Sequence, residues 1–284
     1  MEVIMRKFKL IKKSLLSFLL SINLVSTAYA YENPQTLPDI NGMSLDQAFI
    51  AVAESQIGYE EDSNYESYFG AWAGDAKQAW CSEFVSWSAE QAGIPGAIIP
   101  KVRSSSGFRE FFSKIDSFYL LDGGCLDEAC GCSEKASGIL SVNELKKGDI
   151  LIVETNGDIS NGPDHTCIFL SVEQDMLCTL DGNSGNMVKK KTREISSVHG
   201  VCRPDFSKTV IETEKEQYIV KKRKKVSINT YIVNTNGSEI IYKSKNKKIA
   251  TVDKNGIIKG IKKGHTYITI QCNGISKKIY VTVS

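Results

Sequence analysis

Histidine is scarce in this chain. There are three in 284 residues, His165, His199 and His265, so imidazole chemistry has three candidates. Proline is also rare, at six, which excludes a polyproline or collagen-like architecture. Beyond residue 30 no apolar run nears the roughly 20 residues of a membrane helix. Acidic residues almost vanish at the end: residues 215–284 hold 3 Asp+Glu against 16 Lys+Arg. Residues 31–214 are the reverse, with 29 Asp+Glu against 14 Lys+Arg. The formal charge of +2 therefore hides two modules of opposite sign. The acidic one suits no nucleic-acid partner. Eight cysteines in a chain this long do not make a disulfide framework.

Residues 1–30 read as a secretory signal peptide. Arg6, Lys7, Lys9, Lys12 and Lys13 form its basic start, Leu15 to Val25 its apolar core, and Ala28-Tyr29-Ala30 its cleavage site. The mature protein is expected to begin at Tyr31 and to be exported, with no stable membrane span after cleavage. Residues 31–43 are a mobile lead-in. Ser44 with Gln47 makes a capping box, and Leu45, Ala48, Phe49 and Val52 continue a helix that Gly58 can close. Tyr59 to Gly74 is a polar, aromatic loop. Within it Asp62, Asn64 and Glu66 alternate, a weak Ca²⁺ candidate without the length or closing glutamate of an EF-hand. No other metal or cofactor site is expected.

The central stretch is Trp80-Cys81-Ser82-Glu83-Phe84-Val85-Ser86-Trp87, a helix opening on a cysteine and stopped by Gly93 and Pro95. A thiol at a helix N-terminus sits in the positive end of the dipole, which favours the nucleophilic thiolate. Ser104 to Asp116 is a second amphipathic helix. Leu121 to Ser141 is a glycine-rich excursion. Strands follow at Ile150–Val153, Thr166–Val172, Met176–Leu180 and Val198–Cys202, an α+β pattern. A hairpin centred on Glu173 or Gln174 pairs odd residues with odd, so His165, Asp181 and Asn183 share a face. Packing the Cys81 helix on that face brings thiol to imidazole. His165 is then the base, and Asp181 or Asn183 fixes its tautomer. His199 is read as structural or superficial, and His265 lies in the other module.

These segments, with Lys147-Gly148-Asp149-Ile150, Asp164-His165-Thr166 and Leu180-Asp181-Gly182-Asn183-Ser184-Gly185, resemble a CHAP domain of the NlpC/P60 group over Leu45 to Asp205. The resemblance implies a papain-like fold and a peptidoglycan hydrolase that cuts an amide bond, as endopeptidase or N-acetylmuramoyl-L-alanine amidase. It makes Cys81 the nucleophile and His165 the base. The family's acidic orienter, commonly glutamate, falls on Asp181, and its asparagine on Asn183. Thr166-Cys167 after the histidine departs from the usual small apolar residues. Backbone N–H groups at the helix start, including that of Cys81, are oxyanion-hole candidates. The expected catalytic domain spans 44–206.

After a linker at 207–216, residues 217–284 read as six or seven short strands with turns at Asn236-Gly237, Asn255-Gly256 and Lys263-Gly264, a small all-β sandwich. Ile249-Ala250-Thr251-Val252-Asp253-Lys254-Asn255-Gly256-Ile257-Ile258-Lys259-Gly260 resembles a bacterial Ig-like domain of group 2, implying an adhesion or spacer module. Its run Lys221 to Lys225 suggests attraction to anionic cell-wall polymers. The expected protein is secreted, wall-associated and a cysteine amidohydrolase. The alternative is a non-catalytic surface adhesion or wall-binding protein. Cys167 and Cys178 are expected on opposite faces and unbonded. Cys125, Cys130 and Cys132 offer one disulfide or, with no histidine near, a poorer zinc site.

Overall fold

The structure, a computed structural model, describes residues 34–125, 135–155 and 163–284. The signal-peptide segment, Cys130 and Cys132 lie outside the described residues. The chain divides into two compact units between Ser207 and Lys208. Among the described residues, no helix is long and apolar enough to cross a membrane.

Among the described residues of the first unit, four α-helices precede the sheet. Helix α1, Leu45–Glu54, starts at the Ser44–Gln47 capping box and buries Ala48, Phe49 and Val52. It stops short of Gly58, because Ser55 Oγ donates to the Val52 carbonyl at 2.7 Å and ends the ladder. Helix α2, Tyr68–Ala73, falls in the segment read as loop, held between the Ser67 cap and left-handed Gly74. Its six residues are too few for a period to show. Helix α3, Cys81–Gln91, is buried from Cys81 through Ala89, as a helix enclosed on all sides must be. Helix α4, Ser105–Lys114, is capped by the Ser104 hydroxyl, which accepts from Gly107 N at 3.1 Å.

The strands are β1 (Phe118–Leu121), β2 (Ile139–Leu140), β3 (Ile150–Val153), β4 (His165–Glu173), β5 (Met176–Asp181), β6 (Lys189–Arg193) and β7 (Val198–Cys202). They form one sheet in the order β2-β1-β7-β3-β4-β5-β6. Strand β6, Lys-Lys-Lys-Thr-Arg, has no apolar residue to announce it, yet pairs with β5 along its length. Asp149, from the Lys-Gly-Asp turn, is buried and accepts from Arg203 at 3.0 and 2.7 Å and from Lys146 N at 2.8 Å. That motif holds the entry to β3.

The β4–β5 hairpin is a correction to the expected register. Its turn is the two-residue Gln174-Asp175, both with positive φ, as a type I′ turn requires. Near the turn Glu173 pairs with Met176 and Val172 with Leu177, odd with even. A bulge between Phe169 and Ser171 then adds one residue, and Phe169 pairs with Thr179 and Cys167 with Asp181. Odd–odd pairing thus holds only beyond the bulge. Cys167 and Cys178 are free thiols, as is Cys125.

The position of α3 also differs from expectation. Thr166 Oγ1 lies 3.0 Å from Ser82 Oγ of α3 and 2.8 Å from Ser105 Oγ of α4, so the helices cover the Thr166 face. Alternation turns His165, Cys167 and Phe169 to the other face, where Leu121, Leu140, Leu151 and Val201 complete a core. Cys81, in the first turn of α3, meets His165 where β4 begins.

The second unit comprises β8 (Val210–Thr213), β9 (Gln217–Val220), β10 (Lys225–Ser227), β11 (Thr230–Val233), β12 (Ile241–Ser244), β13 (Ala250–Val252), β14 (Ile257–Gly260), β15 (Gly264–Cys272) and β16 (Ile275–Val283). Its sheets are β10-β14-β13, β11-β8 and β12-β15-β16-β9. The core holds Tyr218, Val220, Ile258, Ile268, Ile279 and Val281. The segment 207–216, expected as linker, contains β8, which pairs with the equally unexpected β11.

Gly182, just after β5, allows α3 its close approach. A Cβ there would lie 2.5 Å from Phe84 Cβ and 2.6 Å from its Cγ, and Phe84 is fully buried. Gly182→Ala is expected to cost about 1–3 kcal/mol through this overlap, read as a lowered Tm in thermal denaturation. An unchanged Tm would show that the packing is looser than described.

Candidate active site

The open end of the β4–β5 hairpin gathers charge in a buried place. His165 opens β4 and Asp181 closes β5, and both are buried. His165 Nε2 lies 2.8 Å from Asp181 Oδ2. The Cys81 thiol, in the first turn of α3, also acts electrostatically on the imidazole. Burial alone would make His165 harder to protonate. The hydrogen bonds and charges of Asp181 and Cys81 outweigh it and push the imidazole up to about 9.

Asp181 is itself saturated. Its Oδ2 also accepts from Arg193 Nη2, and its Oδ1 accepts from the Thr179 hydroxyl at 2.6 Å. Arg193 Nε donates to Thr179 Oγ1 at 3.2 Å, which closes the ring of contacts. Burial works to raise the Asp181 carboxyl, but His165, Arg193 and Thr179 together hold it below the ordinary carboxylate range. Asp181 is thus a fixed anion facing an imidazole. Asn183 stands two residues on, left-handed at φ 56. Of the two, it is Asp181 that hydrogen-bonds the imidazole.

Sequence reasoning missed Thr179 and Arg193. Arg193 ends a run of basic residues that reads as a solvated face, yet it alone of the run is buried. The readable signal is Thr179, two before Asp181 and so on its face of the strand. Cys167, behind the site, is pushed up by burial and is a structural thiol. His199 is buried in β7, and His265 Nδ1 lies 3.0 Å from Thr282 Oγ1 in the second unit.

Two supports hold the start of α3. Trp80 is fully buried, stacks on Phe69 and donates from Nε1 to Glu61 Oε2 at 2.8 Å, so the Tyr59–Gly74 segment packs against the residue that precedes Cys81. Glu83, two residues after Cys81, is fully buried. Gln78 Nε2 donates to its Oε1, and Arg103 Nε stands 4.0 Å from the same oxygen. Its Oε2 has no partner, and burial raises the carboxyl to about 7.

The calcium candidate is otherwise engaged. Asp62 Oδ1 accepts from the backbone of Asn64 and Glu66 at 2.8 and 2.9 Å, and Glu66 Oε1 lies 3.4 Å from Lys77 Nζ. Among the described residues, no group of three or more His, Cys, Asp or Glu converges as a metal would require.

Residues 208–283 are a bacterial Ig-like domain of group 2. The first unit matches neither the CHAP nor the NlpC/P60 family. No curated protein matches the chain. Among solved structures, domains 4 and 5 of the S-layer protein SbsC are similar at 17% identity and a TM-score of 0.24, over 38% of this chain and 64% of that one. The insect immune protein hemolin is similar at 15% identity and a TM-score of 0.21, over 50% of this chain and 40% of that one. The chain spans less than two-thirds of the length of these structures.

Two titrations test this geometry. With three histidines, imidazole NMR resolves His165, which is expected to titrate near 9, and Asp181→Asn should lower its midpoint. A wild-type midpoint near 6.5 would contradict the contacts described. The second test concerns Glu83. Its folded value lies above the unfolded one, so stability falls as pH rises from about 4.5 to about 7 and is level beyond. Glu83→Gln should remove that slope, a relative gain on the order of 2–3 kcal/mol at pH 8 against pH 4, measured by urea denaturation at both.

Proposed function

We propose that the first unit is a papain-like cysteine amidohydrolase that cleaves an amide bond of peptidoglycan, as endopeptidase or N-acetylmuramoyl-L-alanine amidase. The Ig-like domain attaches it to the wall, through affinity for anionic wall polymers. The protein is read as secreted and wall-associated. The observation that carries this reading is the continuous set Cys81, His165, Asp181, with the carboxylate held in turn by Arg193 and Thr179.

Each member has one task. The Cys81 sulfur attacks the amide carbonyl carbon, forming a C–S bond and an oxyanion. The N–H groups of the first turn of α3, which have no intrahelical acceptor, stabilise that oxygen. His165, protonated up to about 9, gives its proton to the leaving nitrogen as the C–N bond breaks. Water, deprotonated by the now neutral imidazole, adds to the thioester and releases the acid and the thiol. Asp181 holds Nε2–H throughout, so that Nδ1 always faces sulfur.

Cys81→Ser should fold normally, with stability within about 1 kcal/mol of wild type. It should lose at least ~10³-fold in the release of fragments from purified peptidoglycan, because a serine hydroxyl is far less acidic than a thiol. Mass spectrometry of the fragments identifies the bond cut. The alkaline limb of the wild-type rate profile should lie near 9, the pH at which the imidazole loses the proton it donates. If Cys81→Ser digests peptidoglycan at the wild-type rate, the cysteine mechanism is wrong.

A further inference from the structure

The outer face of β12-β15-β16-β9 is where the basic charge of the Ig-like domain meets its aromatic surface. Strand alternation sends Ile268, Ile270, Ile279 and Val281 into the core and the residues between them outward. On the outer face Tyr267 pairs directly with Tyr280, and Thr269 lies between Lys243 and Lys278. Lys278 Nζ stands 5.1 Å from the centre of the Tyr267 ring. Lys243, Lys245, Tyr267, Thr269 and Gln271 border a shallow depression of about 280 Å³. Tyr280 is 58% exposed, and Ile219 on β9, opposite Thr282, is 78% exposed. These four strands carry no Asp or Glu. A sheet face that only needs solubility mixes both signs and keeps its rings covered. This one does neither.

We propose that this face is a binding site for an anionic glycan. Pyranose rings lie against the Tyr267–Tyr280 step, which offers flat apolar area that loses little rotamer freedom on binding. The carboxylates or phosphates of the polymer pair with Lys243, Lys245 and Lys278. Thr269 and Gln271, between them, supply partners for sugar hydroxyls. The run Lys221 to Lys225 has charge but no ring, lies between β9 and β10, and is outside this site. The inference deepens the wall-attachment reading by giving it a location and a ligand chemistry, and is independent of cleavage by the first unit.

The test uses the full chain carrying Cys81→Ala and three soluble polymers in calorimetry at low salt. Polygalacturonate has rings and charge, amylose rings alone, and polyphosphate charge alone. Polygalacturonate should bind at least ~10-fold more tightly than either of the others. Removing Lys243, Lys245 and Lys278 together, each as Lys→Ser, should weaken it about tenfold or more, and Tyr280→Ala about threefold to tenfold. Lys222→Ser with Lys224→Ser should leave it within about twofold. All these positions are exposed or half-buried, so an unchanged Tm certifies the fold. The inference is overturned if polygalacturonate does not bind, if polyphosphate binds equally well, or if only the Lys222/Lys224 variant loses binding. If polygalacturonate binds through this face but purified walls do not retain the protein, the wall reading fails and the glycan site stands.

Discussion

One unpaired residue in β4 decides whether His165 meets a carboxylate. The type I′ turn at Gln174-Asp175 starts the hairpin in a register that, continued, would set Asp181 opposite Ile168. Its carboxylate would then face α3 and α4, and His165 would point the other way without a partner. The bulge at Leu170 shifts the pairing by one, and side chains alternate with period two, so one residue exchanges the faces. Cys167 then pairs with Asp181, and His165, one pleat beyond, shares the carboxylate's face. The turn is dictated by local chemistry, with both central residues left-handed, and the bulge reconciles it with the site.

Once Asp181 is on the right face, the remaining contacts follow from the cost of burying it. A lone carboxylate there would take up a proton, since burial disfavours its charge. Arg193 and Thr179 prevent that, and both belong to strands whose register is tied to β5. The nucleophile arrives from the opposite face of the sheet. Gly182 lets Phe84 close against the end of β5, and the Ser82–Thr166 and Ser105–Thr166 contacts set both helices on β4 next to His165. Thr166, a departure from the family pattern when read in the sequence, is the hydroxyl that joins two helices to the strand.

The elements with their own local signal were legible in the sequence. The Ser44–Gln47 box, the Cys81 helix, the amphipathic helix after Ser104 and the apolar strands β3, β4 and β7 stand where periodicity and capping put them. That His165 shares a face with Asp181 was legible too, though the turn assumed for it differs from the observed one. What stayed hidden lacks an apolar period. Strand β6 is wholly polar, α2 is too short, and β8 lies in what composition marks as a linker. Arg193 could not be told from its lysine neighbours, because burial of one residue in an edge strand is a property of the assembled sheet. Asn183 looked equivalent to Asp181 by spacing, and only the geometry around the imidazole separates them.

The two charge signs follow from different physical demands on the two units. The first, with 27 acidic and 13 basic residues over 31–207, draws Arg193 and Arg203 inward onto Asp181 and Asp149. Its outer field is left negative and would repel the anionic polymers of a bacterial wall. On the proposed function, attraction has to come from elsewhere in the chain. The second unit is the candidate source, with 17 basic residues over the 77 of 208–284, most of them exposed on strands and turns around an apolar core. On that reading a hydrolase depends on residence near its polymer as much as on the chemistry at Cys81, and the affinity would belong to the basic unit, where it can be altered without touching the residues around His165.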